Sequence, residues 1–294
     1  MPRETSSAFR QPAARPARVP GRVSGAEIIS SRDNRWLKTF RAALHDGFLS
    51  TENLIGLEGP HLVEEALRSE LEIEACLVSP AGEKILNGWP QEWQRSLSVL
   101  KTTERLFAGV AGTEHPQGIA ALVRPREFSF DDLLRGDVPL VIALIGVQDP
   151  GNVGTVVRSA EAFGATGCVA TRGTADPWSP KALRASAGSA LRMPLLRGIA
   201  PPVALAQFRV ASLNILAATS DPSAPQMPSS GLLREPCAIL IGAEGSGLPP
   251  EIERSADALF AIPMVRDVES LNAGVAASVI LYEAARQRAG QRLP

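Results

Sequence analysis

Three short segments concentrate side chains able to hold anions or accept protons together with bare backbone, and each follows an apolar run. The first, residues 146–160, reads GVQDPGNVGTVVRSA. Val153, Val156, Val157 and Ala160 fall at helical spacing and face a core, while Gly151, Gly154 and Arg158 share another face. A planar five-donor guanidinium standing over glycines can approach a phosphate or ribose closely. Equally, Arg158 can pair at the surface with Glu161, one turn on, and the segment alone leaves both readings open. The second, residues 240–248, reads LIGAEGSGL. Its glycines let a ligand touch the main chain or simply make a tight turn, with Glu244 as the one charge inside. It has neither a G-x-G-x-x-G fingerprint nor the Lys-Ser/Thr of a P-loop, which argues against nicotinamide dinucleotide and nucleoside triphosphate binding. The third, residues 262–274, reads IPMVRDVESLNAG and runs into an Ala-rich helix. Ser270 suits an N-cap, and Leu271, Val275, Val279 and Tyr282 form a packing stripe. A capped core helix explains Ser270 but neither Asn272 nor Glu269.

These segments can meet only if the strands they follow lie side by side. Near-continuous apolar strands at 140–145, 168–170, 215–218, 238–241 and 259–262 alternate with helices at 152–163, 180–189, 201–212 and 271–288. That alternation predicts a parallel sheet covered on both faces, in which ligands sit at the carboxyl ends of the strands. This larger unit is expected over 138–290, after a polar linker at 125–137 containing Pro125 and Gly136. Ahead of it, 26–124 alternates helix (34–44, 60–68, 103–109) and strand (53–57, 73–78, 119–123) in a smaller α/β unit. Residues 1–25 read as a solvated, disordered tail.

A chain of 294 residues that is 45% apolar and 21% charged can bury one or two cores. Its net charge of -1 would argue against a nucleic-acid partner, but the charge is uneven. Up to residue 41, nine basic residues stand against Glu4, Glu27 and Asp33, the asymmetry of a basic arm. Arg32, Arg35, Lys38 and Arg41 cluster on the first predicted helix around Trp36, which serves either as a stacking surface or as core. Trp178, beside Pro177 and Pro180, carries the same two readings. Cys76, Cys168 and Cys237 are far apart, no Cys/His cluster suggests a metal, and a reducing, cytoplasmic setting is expected. No stretch is apolar enough for a membrane span or secretory signal.

In this order on strand ends, the three segments resemble the motifs of the SpoU-type (TrmH-like) RNA ribose 2′-O-methyltransferases of the SPOUT superfamily. Asn152, Gly154 and Arg158 match the first motif, and Gly242, Glu244, Gly247 and Leu248 the second. Ile262-Pro-Met264 followed by Ser270-Leu-Asn272 matches the third. Residues 179–188, SPKALRASAG, look like the family's intermediate helix, and 57–66, LEGPHLVEEA, like its substrate-binding domain. The resemblance implies an α/β fold with a knotted (SPOUT-type) parallel-sheet catalytic domain preceded by a small α/β RNA-binding domain. It implies S-adenosylmethionine as cofactor, a homodimer with active sites at the interface, and RNA as substrate, rRNA favoured over tRNA by the appended domain.

Carried over by residue, the cofactor is expected at Thr219, Gly242, Gly247, Ile262, Met264 and Leu271. Asn152, Arg158, Glu244, Ser270 and Asn272 would line the reacting end, and Arg32, Arg35, Lys38, Arg41, His61 and Arg184 would meet RNA. The family assigns activation of the 2′-hydroxyl to the arginine matched by Arg158. A guanidinium stays protonated, however, so Arg158 is expected to stabilise negative charge while Glu244 or a water accepts the proton. The chain departs from the motifs at Ala243, at Arg266-Asp267 and at Ala273-Gly274, which bears on loop geometry. A non-catalytic RNA-binding protein of the same fold is the competing reading.

Overall fold

The computed structural model describes residues 27–289 apart from 222, 228–230 and 267–269, so the expected N-terminal tail, Asp267 and Glu269 lie outside the described residues. The first unit runs β1 (Glu27–Ile28), α1 (Arg35–Asp46), β2 (Ile55–Glu58), α2 (Pro60–Arg68), β3 (Ile73–Val78), α3 (Pro80–Asn87), α4 (Gln91–Ser96), β4 (Val99–Lys101), α5 (Glu104–Ala108) and β5 (Ile119–Val123). Its sheet has the order β1-β4-β3-β5-β2, with β5 antiparallel to both neighbours. The sequence reading missed α3, α4 and β4, because QEWQRS and VLK are too short to show a period. Trp36, one of whose readings was a stacking surface, is 3% exposed and packs with Leu37 and Phe40 in the core.

After α6 (Phe130–Leu133) come β6 (Leu140–Leu144), α7 (Pro150–Ala162), β7 (Gly167–Thr171), α8 (Pro180–Ser186), α9 (Ser189–Arg192), β8 (Leu195–Ile199), α10 (Pro201–Val210), β9 (Asn214–Thr219), β10 (Cys237–Ile241), α11 (Pro250–Glu253), β11 (Ala258–Ala261) and α12 (Ala273–Ala289). The stretch expected as a bare linker thus holds α6, closed by a capping box between Ser129 and Asp132. All six strands pair in parallel in the order β11-β9-β10-β6-β7-β8. Alternation splits each buried strand between two cores: Leu140, Ile142 and Leu144 face the α7 and α12 side, while Val141 and Ala143 face Phe208 of α10. β8 went unread because LLRGI carries an arginine and a glycine on an edge.

Two features seat the helices that carry the motif residues. Gly154 of α7 lies against α8, where an added Cβ would stand 2.4 Å from the Ala182 carbonyl oxygen and 2.6 Å from the Ala185 Cβ. The glycine therefore serves close helix packing, and the expectation that it leaves bare backbone beneath Arg158 is corrected: α8 covers that face. The far end of α12 is held by Arg288, whose guanidinium donates to the carbonyls of Val138 (2.7 Å), Leu233 (2.7 Å) and Glu235 (2.8 Å). These carbonyls precede β6 and β10, so one side chain ties the last helix to the amino-terminal edge of the sheet.

Gly154→Ala must push α7 off α8, and overpacking of this kind costs about 1–3 kcal/mol. The expected result is a lower urea midpoint at unchanged slope; an unaltered midpoint would mean that the helices are not in contact at Gly154.

Candidate active site

Because β11, β9, β10 and β6 are neighbours and parallel, the loops leaving their carboxyl ends emerge on one edge. Asp149 opens α7: its carboxylate accepts from the Gly151 amide at 2.5 Å, with Pro150 in the first turn. Lys181 of α8 donates to the same carboxylate at 3.0 Å. The Lys181 side chain and the Gly151 amide hold Asp149 below the usual carboxylate range. Neither Asp149 nor Lys181 was singled out in the sequence, although Asp-Pro-Gly before a helical run is a start signal in its own right.

Asn152, in the first turn of α7, connects the three segments. Its amide donates to Glu244 Oε1 at 2.5 Å, and its Oδ1 accepts from the Asn272 amide at 2.9 Å. Asn272 Oδ1 in turn accepts from the backbone amides of Gly274 (2.9 Å) and Val275 (3.2 Å). Asn272 is therefore the N-cap of α12, and the expectation that Ser270 caps this helix is corrected. Ser270 lies exposed two residues upstream. A Ser-x-Asn sequence offers two capping residues, and the start of the helix at Ala273 selects the second.

Arg158 is exposed and makes no hydrogen bond or ion pair among the described residues. Its alternative partner Glu161 is instead held by Arg192, through Nε at 2.8 Å and Nη2 at 2.7 Å. The packing stripe expected of Val275, Val279 and Tyr282 is also corrected. Val275 is 48% and Tyr282 57% exposed, whereas Ala273, Gly274, Ala277, Ile280, Leu281 and Ala284 are buried. Small residues let α12 press onto α7: an added Cβ on Gly274 would sit 3.3 Å from Thr155, and Ser159 and Ser278 share a hydrogen bond of 2.7 Å. Val275 and Tyr282 are left facing outward, with Tyr282 edge-on to Phe163 at 5.7 Å.

Thr219 ends β9 beside Ala261 of β11, and its hydroxyl accepts from the Asp221 amide at 3.1 Å. Gly242 follows β10 in a loop closed by reciprocal Ala243 and Gly247 backbone bonds of 3.1 and 3.0 Å. A Cβ on Gly242 would lie 2.3 Å from the Gly247 carbonyl carbon, whereas Gly245 and Gly247 face open space. Ile262 and Leu271 are half-buried and Met264 is 39% exposed. Residues 225–227 extend the edge of β11, with the Ala261 amide donating to Pro225 O and the Met227 amide to Ala261 O, a pairing that no apolar run announces.

The basic residues proposed for RNA occupy other places. Arg32, Arg35, Lys38, His61 and Arg184 are exposed, and Arg41 donates to the Gly109 carbonyl at 3.1 Å. Trp178 is packed, with Arg197 stacked over it and over Phe48 at 4.4 and 3.9 Å. Among the described residues no group of acids, histidines and cysteines could hold a metal ion, and no helix is long and apolar enough to cross a membrane.

Comparison with known proteins bears on this arrangement. Residues 139–282 match the model of the SpoU rRNA Methylase family, and residues 50–121 that of the MRM3-like substrate binding domain. A tRNA/rRNA methyltransferase of Synechocystis, itself uncharacterized, is 32% identical over 90% of this chain and 96% of its own. The 23S rRNA (guanosine(2553)-2′-O)-methyltransferase RlmP of Bacillus subtilis is 30% identical over 86% of this chain and 97% of its own. Among solved structures, the AdoMet-bound rRNA methyltransferase from Sinorhizobium meliloti superposes with a TM-score of 0.76 at 27% identity, covering 92% of this chain and 99% of that one. Matched along nearly the whole length of these relatives, in both its sheets and through all three strand-end loops, the chain belongs to the SpoU methylase family.

Proposed function

We propose that this S-adenosylmethionine-dependent RNA methyltransferase modifies a ribose 2′-hydroxyl of structured RNA, and that the RNA is ribosomal. The observation that carries the chemistry is the Asn272–Asn152–Glu244 hydrogen-bond chain, whose middle member lies on the same helix as Arg158, a cation without an ion pair among the described residues. The 23S rRNA specificity of the Bacillus relative supports the choice of RNA.

The residues present fit the cofactor. Bare main chain at Gly245 and Gly247, the apolar edges of Ile262 and Met264, and Thr219 lie on three adjoining strand ends, a mixture of backbone and apolar surface suited to a nucleoside and a thioether chain. When bound, S-adenosylmethionine supplies an electrophilic methyl group whose transfer leaves a neutral thioether, so no general acid is needed. The protein's task is to hold the ribose hydroxyl in line and to stabilise charge developing on its oxygen. Arg158 stabilises that charge and clamps the neighbouring phosphate with its fork of donors; it cannot take the proton, because a guanidinium does not deprotonate. Glu244 is held by Asn152 through one carboxylate oxygen, and its second oxygen makes no hydrogen bond among the described residues. That oxygen, directly or through a water, is the proton acceptor.

The outward-facing Val275 and Tyr282, with half-buried Val279 between them, are the contact of a homodimer, placed beside the Asn152 site by the shared packing of α7 and α12. The return of α12 from edge strand β11 to α7 supports a trefoil knot in this region. The first unit presents Arg32, Arg35, Lys38 and His61 to the RNA, and Arg184 extends that charge on α8. A crystal structure with cofactor would test the knot and the dimer together: an unthreaded C-terminal segment or a lone protomer would overturn them.

Labelled methyl from S-adenosylmethionine should enter rRNA lacking 2′-O-methylation and be recovered as 2′-O-methylribose. Recovery from tRNA alone would reverse the choice of substrate, and incorporation into a base would refute the site assignment. Arg158→Ala should lower kcat by about 10²–10³-fold, the usual loss for one preorganised donor, with cofactor affinity unchanged. Arg158→Lys should remain well below the native enzyme at every pH; near-complete rescue would exclude the bidentate clamp. Tyr282→Asp should halve the mass measured by light scattering, and a persisting dimer would place the interface elsewhere.

A further inference from the structure

Arg158 and Glu161 lie three residues apart on the exposed side of α7, a spacing at which opposite charges pair on a helix. They do not pair, because Glu161 is already engaged. The fork of Arg192 grips both of its oxygens, and the third guanidinium nitrogen of Arg192 donates to Glu65 of α2, in the first unit. Glu65 is only 14% exposed and shares its other oxygen with Arg68 at 2.6 Å. Burial alone would raise the Glu161 carboxyl, but Arg192 and the Ser189 hydroxyl outweigh it and hold Glu161 below its ordinary value. The two-sided contact also crosses the seam between the units, where an added Cβ on Gly188 would press on the Glu65 side chain at 2.9 Å.

The general lean of helical side chains gives this network a consequence. Helical side chains lean toward the amino terminus of their helix, so an Arg158 not drawn to Glu161 is free to reach toward the first turn of α7, where Asn152 holds Glu244. Pairing with Glu161 would draw it the opposite way, along α7 and out of the site. We infer that Arg192 is a positioning residue that sequesters Glu161 from Arg158, and that docking of the first unit maintains it in that role through Glu65. The inference rests on Arg158 acting at the reacting end. It ties the presence of the RNA-binding unit to the availability of the guanidinium, with no movement of the catalytic loops required.

The test compares the full-length native protein, Arg192→Ala and the double variant Arg192→Ala/Glu161→Gln in two assays. One is the rate at which phenylglyoxal modifies Arg158, mapped by peptide mass spectrometry; the other is kcat at saturating RNA and cofactor. Freed Glu161 should capture Arg158 in Arg192→Ala, so that its modification slows severalfold and kcat falls about tenfold, a change of about 1.4 kcal/mol in barrier. Neutralising Glu161 in the double variant should restore both to near native values. A purely structural role for Arg192 would lower the melting temperature without changing the modification rate of Arg158 in the folded protein. Equal Arg158 reactivity in all three proteins, or a defect that survives in the double variant, would overturn the inference. Where Arg192→Ala fails to fold, Glu65→Gln loosens the same grip, and its smaller defect should likewise vanish when combined with Glu161→Gln; persistence of that defect would be equally damaging. The expected reactivity pattern in a chain that transfers no methyl to any RNA would refute the proposed function and leave the sequestration intact.

Discussion

The site depends on one constraint, the parallel alignment of β6, β10, β9 and β11. In a parallel sheet every strand delivers its following loop to the same edge, whatever the separation in sequence. Asn152 and Asn272 are 120 residues apart and meet at 2.9 Å because the strands before them end together. An antiparallel neighbour anywhere in this row would have sent one loop to the opposite edge. The fully buried strands LVIAL and CAILI make that arrangement stable, since both faces find an apolar cover and neither edge of the central pair is left unpaired.

Within this frame α7 carries three kinds of surface at once. Its valines enter the core, its glycine admits α8, and Ser159 meets α12. What remains exposed is Thr155, Arg158 and the terminal Ala162, with Asn152 half-buried at the start. The helix cannot roll to hide Arg158 without breaking the Gly154 contact on one side or the Ser159–Ser278 bond on the other. Pinned on three sides, it fixes where the guanidinium starts, and the ion pairs around Glu161 then decide where it can go.

All strands of the second sheet but the edge strand β8 are legible because buried parallel strands are unbroken apolar runs, and the three loops are legible because they concentrate glycine and polar residues just after such runs. The direction of small residues was not. Gly154 looked like bare backbone for a ligand, yet glycine serves close helix packing equally well, and only the position of α8 distinguishes the two. The stripe on α12 failed for a related reason: the buried face is built from Ala273, Gly274, Ala277 and Ala284 with Ile280 and Leu281, so a search for large apolar residues alone picks Val275 and Tyr282 on the other side. Only the resemblance places Asn272 at the reacting end, and neither its cap nor its bond to Asn152 is legible, because these require the register of a helix start and a partner from a distant loop. Arg192 gave no signal at all, since both of its carboxylates are remote in sequence.

The near-neutral net charge is a poor guide to partners here because the charges are sorted. Arg124, Arg192, Arg197 and Arg209 are each matched to a carboxylate and contribute to the seams of the fold. Such pairs are nearly silent toward a polyanion, since the carboxylate cancels the field of the guanidinium within a few ångströms and screening removes what is left. Arg158 and Arg184, by contrast, make no ion pair among the described residues, and neither do Arg35 and Lys38 on α1. It is this unmatched set, not the sum over the chain, that phosphates would meet. The same sorting explains why a basic residue can matter without touching RNA: Arg192 spends its charge on two carboxylates, and by doing so leaves that of Arg158 available.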